Sequence, residues 1–358
     1  MRVALIASAL SWATSFQPRN LLSRNLLSRM LFHGETTMAR RKLLLLLKPF
    51  DVHPLRHSDS LSGISNSKIL CHLSNRIQVH KDAISLCQEI LQRKSIEWET
   101  LFHNDVTRPI QDVDLVLTIG GDGTLLQASH FMDDSIPVLG VNSDPTQIEE
   151  VEQFKDEFDA ARSAGYLCAA TVNNFEQVLD EILNKRARPS ELSRISIRVN
   201  SHSLKTHALN DLLIAHPSPA TLSRFSFRLN RNGESCGPLV NCRSSGLRVS
   251  TAAGSTAAML SAGGFVMPIL SKDLQYMVRE PILPRGSNSS MMHGWVKSDQ
   301  TMEIAWSTEE GCAYIDGSHI AHPIKKGDII ELSTKAPVLK IFLPPHLLSS
   351  SNEHAAKL

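Results

Sequence analysis

The run DLVLTIGGDGTLLQAS, residues 114–129, sets an acid among glycines at the end of an apolar stretch. Gly120, Gly121 and Gly123 leave bare peptide groups against which a ligand can lie. Asp122 stands between them, and Thr124 follows. If a helix begins at about Leu125, its unpaired N–H groups and positive dipole end point at the same spot, which is the description of a phosphate site. A structural turn would more comfortably use Asn or Ser, because a carboxylate beside phosphate is unfavourable unless a metal or a reacting hydroxyl needs it.

A second unusual stretch, GLRVSTAAGSTAAMLSAGG at 246–264, is dense in Gly, Ala, Ser and Thr. Small residues would let a helix lie close to a sheet. Hydroxyls, however, compete with the helical backbone for hydrogen bonds, so Ser250, Thr251, Ser255, Thr256 and Ser261 together point to a surface shaped for a large polar ligand. GxxxxGK[ST], GxGxxG and HExxH are all absent from the chain. Asp316, His319 and His322 have a spacing that a metal could use, but on a strand and turn a step of three sends successive side chains to opposite faces, and no metal is expected there.

The elements that must position these residues follow from periodicity. KLLLLLKPF leaves no polar face and reads as a buried parallel strand. Residues 51–67, rich in Ser, His and Asp, read as a loop. Ile84, Cys87, Ile90 and Leu91 have helical spacing; DLVLTIGG and PVLGVN are further strands. Alternating strands and helices predict an α/β N-terminal domain with a doubly wound parallel sheet, whose ligands sit at the carboxyl ends of its strands. EEVEQFKDEFDAARSAG and NNFEQVLDEILNKRARP read as amphipathic helices with solvated charged faces. Past Ile195 short alternating segments separated by turns predict a β-rich C-terminal domain. The expected divisions are a targeting or dispensable extension at 1–37, the α/β domain at 38–190, the β-rich domain at 191–325, a segment at 326–348 returning to the first domain, and a tail at 349–358.

A chain of 358 residues with 42% hydrophobic and 20% charged residues has ordinary globular composition. A formal net charge of +1 and the lack of a basic block with interleaved aromatics argue against nucleic acid as a partner. Its apolar runs are too short to span a bilayer, and none is expected. Six scattered cysteines without CxxC suggest reduced thiols rather than zinc or disulfides. The first 34 residues carry arginines among Ser and Leu without any acid before Glu35, the composition of an organelle transit peptide, and Met38 offers a second start. The closing Ala356-Lys357-Leu358 is a one-residue variant of the peroxisomal Ser-Lys-Leu signal, so the peroxisome is the expected address, with the mitochondrion or cytoplasm as alternatives.

With GGDGT at 120–124, Asn210-Asp211 in HALNDLLIAH and STAAGSTAAMLSAGG at 250–264, in that order, the chain resembles the NAD kinases, in particular the plant NADH kinase branch. The resemblance spans about Lys42 to the end. It implies an N-terminal α/β domain, a β-rich C-terminal domain and an oligomer, here expected to be a homodimer. It also implies ATP-dependent phosphorylation of the adenosine ribose 2′-hydroxyl of NADH or NAD, with Mg2+ arriving on the ATP. Asp122 matches the family's catalytic aspartate. Gly120, Gly121, Gly123, Thr124, Asn142, Asn210, Asp211, Thr256, Ala257 and Ser261 are the nucleotide-binding residues the resemblance implies. The chain departs from the common pattern at Asp211, at Ala252-Ala253, at Ala258, at Ser245 and after Asn142, where SDPTQIEEVE replaces a glycine-rich run. GGDGT alone is shared with lipid and sphingoid-base kinases, which is the second enzyme reading; a noncatalytic dinucleotide sensor is the third.

Overall fold

Five consecutive leucines form one strand because both faces of that strand are covered. Leu44 and Leu46 point into a core shared with Val116, Leu125, Val138 and Ile341. Leu43, Leu45 and Leu47 point the other way, onto Ile84, Leu91 and Phe175 of two flanking helices. The computed structural model describes residues 41–50, 67–283 and 289–349. The extension, residues 51–66 of the segment expected as a loop at 51–67, and the C-terminal tripeptide lie outside the described residues, while Ser67 begins a helix.

The strand Lys42–Leu47 lies between two neighbours in a sheet ordered Glu97–Phe102, Lys42–Leu47, Leu115–Gly120, Val138–Asn142, Leu339–Phe342 and Ser190–Leu192. The first five run parallel, and only Ser190–Leu192 pairs antiparallel. Helices Ser67–Arg93 and Phe175–Leu183 cover one face. The strand Leu339–Phe342 comes from the far end of the chain, so the last segment completes the first sheet. Its return starts later than 326: Ile329–Ser333 is still paired with Met302–Ala305 and Ser196–Val199 in the second region, and the crossing falls after Ser333.

The β-rich region is two antiparallel sheets, one of seven strands and one of six. Alternating residues of both meet in one core, with Phe225, Phe227, Ile304 and Ile330 from the first against Leu212, Val249, Tyr276 and Ile315 from the second. Leu209, Ala253 and Ile269 of the β-rich region lie instead in the core around Leu125 and Val138, which joins the two regions through apolar contact. No described helix is long and apolar enough to cross a membrane.

Two helical expectations are corrected. The helix after the glycines is Asp122–Ser129, starting three residues before Leu125, so Asp122 lies in its first turn. The acidic helix covers only Ile148–Phe154, and Asp159–Gly165 is a strap without helix. Its charges are not all solvated either: Glu150 is held between Arg162 and His72.

Candidate functional site

Three adjacent parallel strands end at one place. Lys48 follows the first, Gly120 closes the second, and Ser143-Asp144 follow the third. The ends are stitched together: Lys48 N–H donates to Ile119 O at 3.0 Å and Ser143 N–H to Gly120 O at 2.9 Å. His80, on the helix Ser67–Arg93, bridges Ser143 Oγ at 2.8 Å and the Lys48 carbonyl at 3.0 Å. Burial lowers the His80 pKa, which leaves a neutral ring suited to that bridge.

A cavity of about 910 Å³ opens here, walled by Gly120, Gly121, Asp122, Gly123 and Thr124 together with Lys48, Arg76 and Arg162. Asp122 points at the strap: its carboxylate accepts the N–H groups of Tyr166 and Leu167, both at 2.8 Å. Cys168 Sγ also donates to Oδ1 at 3.9 Å, and since a carboxylate has about four acceptor positions, one remains for a substrate hydroxyl. Gly121 is required by this packing, since a Cβ there would stand 2.2 Å from Ser163 Oγ on the strap. At Gly120 a Cβ would meet the buried Thr124 Oγ1, also at 2.2 Å. Gly123 differs, because nothing of the protein lies within 4 Å of a Cβ built on it, and its bare side belongs to the cavity. The helix end is fixed by the buried Arg194, whose Nη1 donates to Ser129 O at 2.9 Å and Met132 O at 2.8 Å. A cation suits that end of the dipole.

Next to it lies a second cavity of about 870 Å³, lined by Asn210, Asp211, Arg248, Ala257, Ala258 and Tyr314. Asp316 stands on the wall of both cavities. It is a fixed joint: its carboxylate accepts N–H from Leu209 at 2.8 Å, Asn210 at 2.7 Å and Asp211 at 3.0 Å, and takes His130 Nε2 at 2.9 Å. His130 caps the helix that Asp122 begins, so one carboxylate ties the helix of Asp122 to the pair Asn210-Asp211. Asp211 is ion-paired with Arg248. Burial pushes the Asp211 pKa up, while the Arg248 guanidinium opposes that rise. Among the described residues no group of three or more His, Cys, Asp or Glu could hold a metal ion.

The structure therefore brings Gly120, Gly121, Asp122, Gly123 and Thr124 to one cavity and Asn210, Asp211 and Ala257 to the other. Asn142, Thr256 and Ser261 stand off both walls. Asn142 is buried beneath the strap, donating to Ser163 O at 3.2 Å, so it supports the site instead of lining it. Thr256 Oγ1 donates to Ala253 O at 3.3 Å, within its own turn, and Ser261 is exposed on the short helix Ala258–Ser261.

The hydroxyls of that block do not form the polar ligand surface their density suggests. Thr251 Oγ1 donates to Leu209 O at 2.5 Å, and Ser255 Oγ donates to Ala252 O at 2.7 Å while accepting Met267 N–H at 2.9 Å. Ser250 Oγ is buried without a partner. The small size of the block has the clearer purpose: a Cβ on Gly254 would sit 1.9 Å from Asn210 O, so only glycine lets this turn press Asn210 into place.

Lys48, Arg76, Arg162, Asp144, Asp316 and Arg248 were not candidates on sequence grounds, apart from the metal spacing of Asp316. The signal for Lys48 is its position after a buried strand, in register with Gly120. Arg162 lies in a stretch whose charge pattern mimics a helix.

The architecture, a parallel α/β sheet with a glycine-cradled acid facing a β-rich lobe, is that of a small-molecule phosphoryl-transfer fold. Family models described as the ATP-NAD kinase N-terminal domain and the ATP-NAD kinase C-terminal domain match residues 58–144 and 179–339. An "NADH kinase" of Arabidopsis thaliana is 60% identical over 307 residues, covering 86% of this chain and 96% of that one. A crystal structure of an NAD kinase from Archaeoglobus fulgidus in complex with ATP superposes with a TM-score of 0.58 at 17% identity, covering 88% of this chain and 99% of that one. Yeast NADH kinase complexed with NADH gives 0.59 at 17% identity, with 88% of each chain covered. The chain belongs to the ATP-NAD kinase family. Membership separates it from the lipid and sphingoid-base kinases that share the GGDGT turn.

Proposed function

We infer that the chain is an ATP-dependent kinase that phosphorylates the adenosine ribose 2′-hydroxyl of NADH, and of NAD, to give NADPH and NADP. The observation that carries this is the placement of Asp122 among cavity-facing glycines, joined through Asp316 to the neighbouring cavity of Asn210 and Asp211. The 60% identity to an NADH kinase supports the reduced dinucleotide as acceptor. The ATP bound to the archaeal family member supports ATP as donor.

In the reaction the ribose oxygen forms a bond to the γ-phosphorus while the bond from that phosphorus to the β–γ bridging oxygen breaks and ADP leaves. Asp122, its rotamer fixed by two backbone N–H bonds, receives or orients the hydroxyl proton. The peptide groups of Gly121 and Gly123 leave room for the transferring group, and the cations of the cavity wall offset its charge. Mg2+ belongs to the donor as its substrate complex.

Two further properties are proposed. The chain works as a homodimer; exposed Leu260, Phe265 and Val266, beside cavity-lining Ala257 and Ala258, are an apolar surface for a second copy. Sedimentation should give twice the chain mass, and a monomer would refute it. Its address is the peroxisome, read from Ala356-Lys357-Leu358. Masking that end with a fluorescent protein should release the protein to the cytosol, whereas unchanged organelle import would make the N-terminal extension the signal.

The catalytic reading is tested by incubating purified protein with magnesium-ATP and either NADH or NAD. NADPH should form faster than NADP; neither product forming would refute the kinase.

A further inference from the structure

The cavity at the glycine turn carries three cations on its wall, beside the carboxylates of Asp122, Asp144 and Asp316. Lys48, Arg76 and Arg162 all line it, each from a different element. Asp144 occupies the arginines, taking Arg76 Nε at 3.1 Å and Arg162 Nη1 at 2.6 Å. Glu150 takes the other Arg162 nitrogen, Nη2, at 2.6 Å. Two observations show that this wall is not saturated by the protein. The Arg162 side chain is only 4% exposed, yet its Nε has no hydrogen-bond partner, leaving an unmet donor in a buried guanidinium. Among the described residues no carboxylate is ion-paired with Lys48. Burial, and after it the Arg76 charge, lowers the Lys48 pKa, with the Asp144 charge opposing them only in part, so the ammonium sits where a further anion would relieve it.

We propose that Lys48, Arg76 and Arg162 bind the polyphosphate chain of the phosphoryl donor, and that Asp144 is a resident counter-ion which the donor's phosphates replace on the two arginines. The proposal rests on the kinase reading and assigns the donor side of its site. Guanidinium forks bind phosphate oxygens as well as carboxylates, so the exchange keeps both arginines paired throughout. The cations that a displaced Asp144 frees decide which substrate lies here: Lys48, Arg76 and Arg162, against Arg248 and Arg279 in the neighbouring cavity. A triphosphate carries about four negative charges and needs a wall of several cations, while a dinucleotide pyrophosphate carries about two. The neighbouring cavity, where Asp211 already neutralises Arg248, suits the less charged acceptor. Asp144 and Glu150 both lie in SDPTQIEEVE, the segment that departs from the common family pattern, so this chain has its own counter-ion at the donor site.

The test is calorimetric titration of the full chain with inorganic tripolyphosphate, beside titration with NADH. Arg76→Gln and Arg162→Gln should each weaken tripolyphosphate about tenfold or more and flatten its salt dependence, with the NADH affinity changed less than about twofold. Asp144→Asn should tighten tripolyphosphate severalfold. Arg162 is buried and its variant could unfold; Arg76, with a side chain 22% exposed, keeps the test decisive. NADH weakened as much as tripolyphosphate by Arg76→Gln would assign the wall to the acceptor and overturn the proposal. Unchanged tripolyphosphate binding in all three variants would do the same. If tripolyphosphate binds through these residues but no phosphate reaches NADH, the kinase reading fails and the anion site stands.

Discussion

The two glycine-rich segments look alike in sequence and do opposite work. At 120–124 the glycines end a parallel strand, and the space they leave belongs partly to a ligand: Gly123 has no protein atom within 4 Å of where a side chain would begin. At 250–264 the space is taken by the protein, with Asn210 O pressed against Gly254 and the hydroxyls of Thr251 and Ser255 spent on backbone carbonyls. Density of small residues marks close approach. What approaches is decided by the element: a strand end opens to a cleft, whereas a turn between strands lies against its neighbours.

That contrast can be broken by substitution. The largest effect is expected at Asp122→Asn, which should lower kcat by about 10²–10⁴ while calorimetry still records NADH binding; full turnover would remove Asp122 from the chemistry. Gly121→Ala should lower kcat about ten- to a hundredfold, because Ser163 must move away from the new Cβ and draw the strap, with Tyr166 and Leu167 that follow it, off the Asp122 carboxylate. Gly123→Ala should instead raise the melting temperature slightly, since alanine stabilises the first helical turn by less than the about 0.5–1 kcal/mol it gains in a helix interior, and raise the KM for ATP. Equal loss of stability in both alanine variants would erase the distinction drawn between these glycines.

In the second segment the expected losses are in stability. Thr251→Val, which strands the Leu209 carbonyl, should cost about 1–3 kcal/mol in denaturant unfolding, and Ser261→Ala should stay within about 0.5 kcal/mol. The smallest effect concerns Lys48. Its pKa is lowered in the fold, so its charged form costs stability; that cost is complete below the folded pKa and fades as pH rises toward 10.5. Lys48→Met should therefore melt higher than the parent at pH 7, with the gain shrinking toward pH 10.5, and should bind ATP more weakly.

How much of this was legible follows from the range of each signal. The leucine run and the glycines at 120–123 announce themselves locally, because a strand buried on both faces and a turn of bare peptide need those residue types. The pair Asn210-Asp211 is readable only through the resemblance; its role depends on Asp316, more than a hundred residues away, whose carboxylate holds the backbone N–H of both. The charge pattern of 148–165 misleads for a similar reason. Glu150 and Arg162 have the look of a solvated helix face, yet each is the ion-pair partner of the other, and pairing across a strap leaves no periodicity to detect. Thr256 and Asn142 are nucleotide-binding residues only through the resemblance; in the structure the Thr256 hydroxyl bonds Ala253 O and the Asn142 amide bonds Ser163 O.

The most direct test of the central claim is the position of the dinucleotide in a crystal of the protein with NADH. The account predicts the adenosine ribose 2′-oxygen within about 2.6–3.2 Å of the Asp122 carboxylate, with the adenine side toward Asn210. A dinucleotide bound elsewhere, with its ribose beyond reach of Asp122, would contradict it.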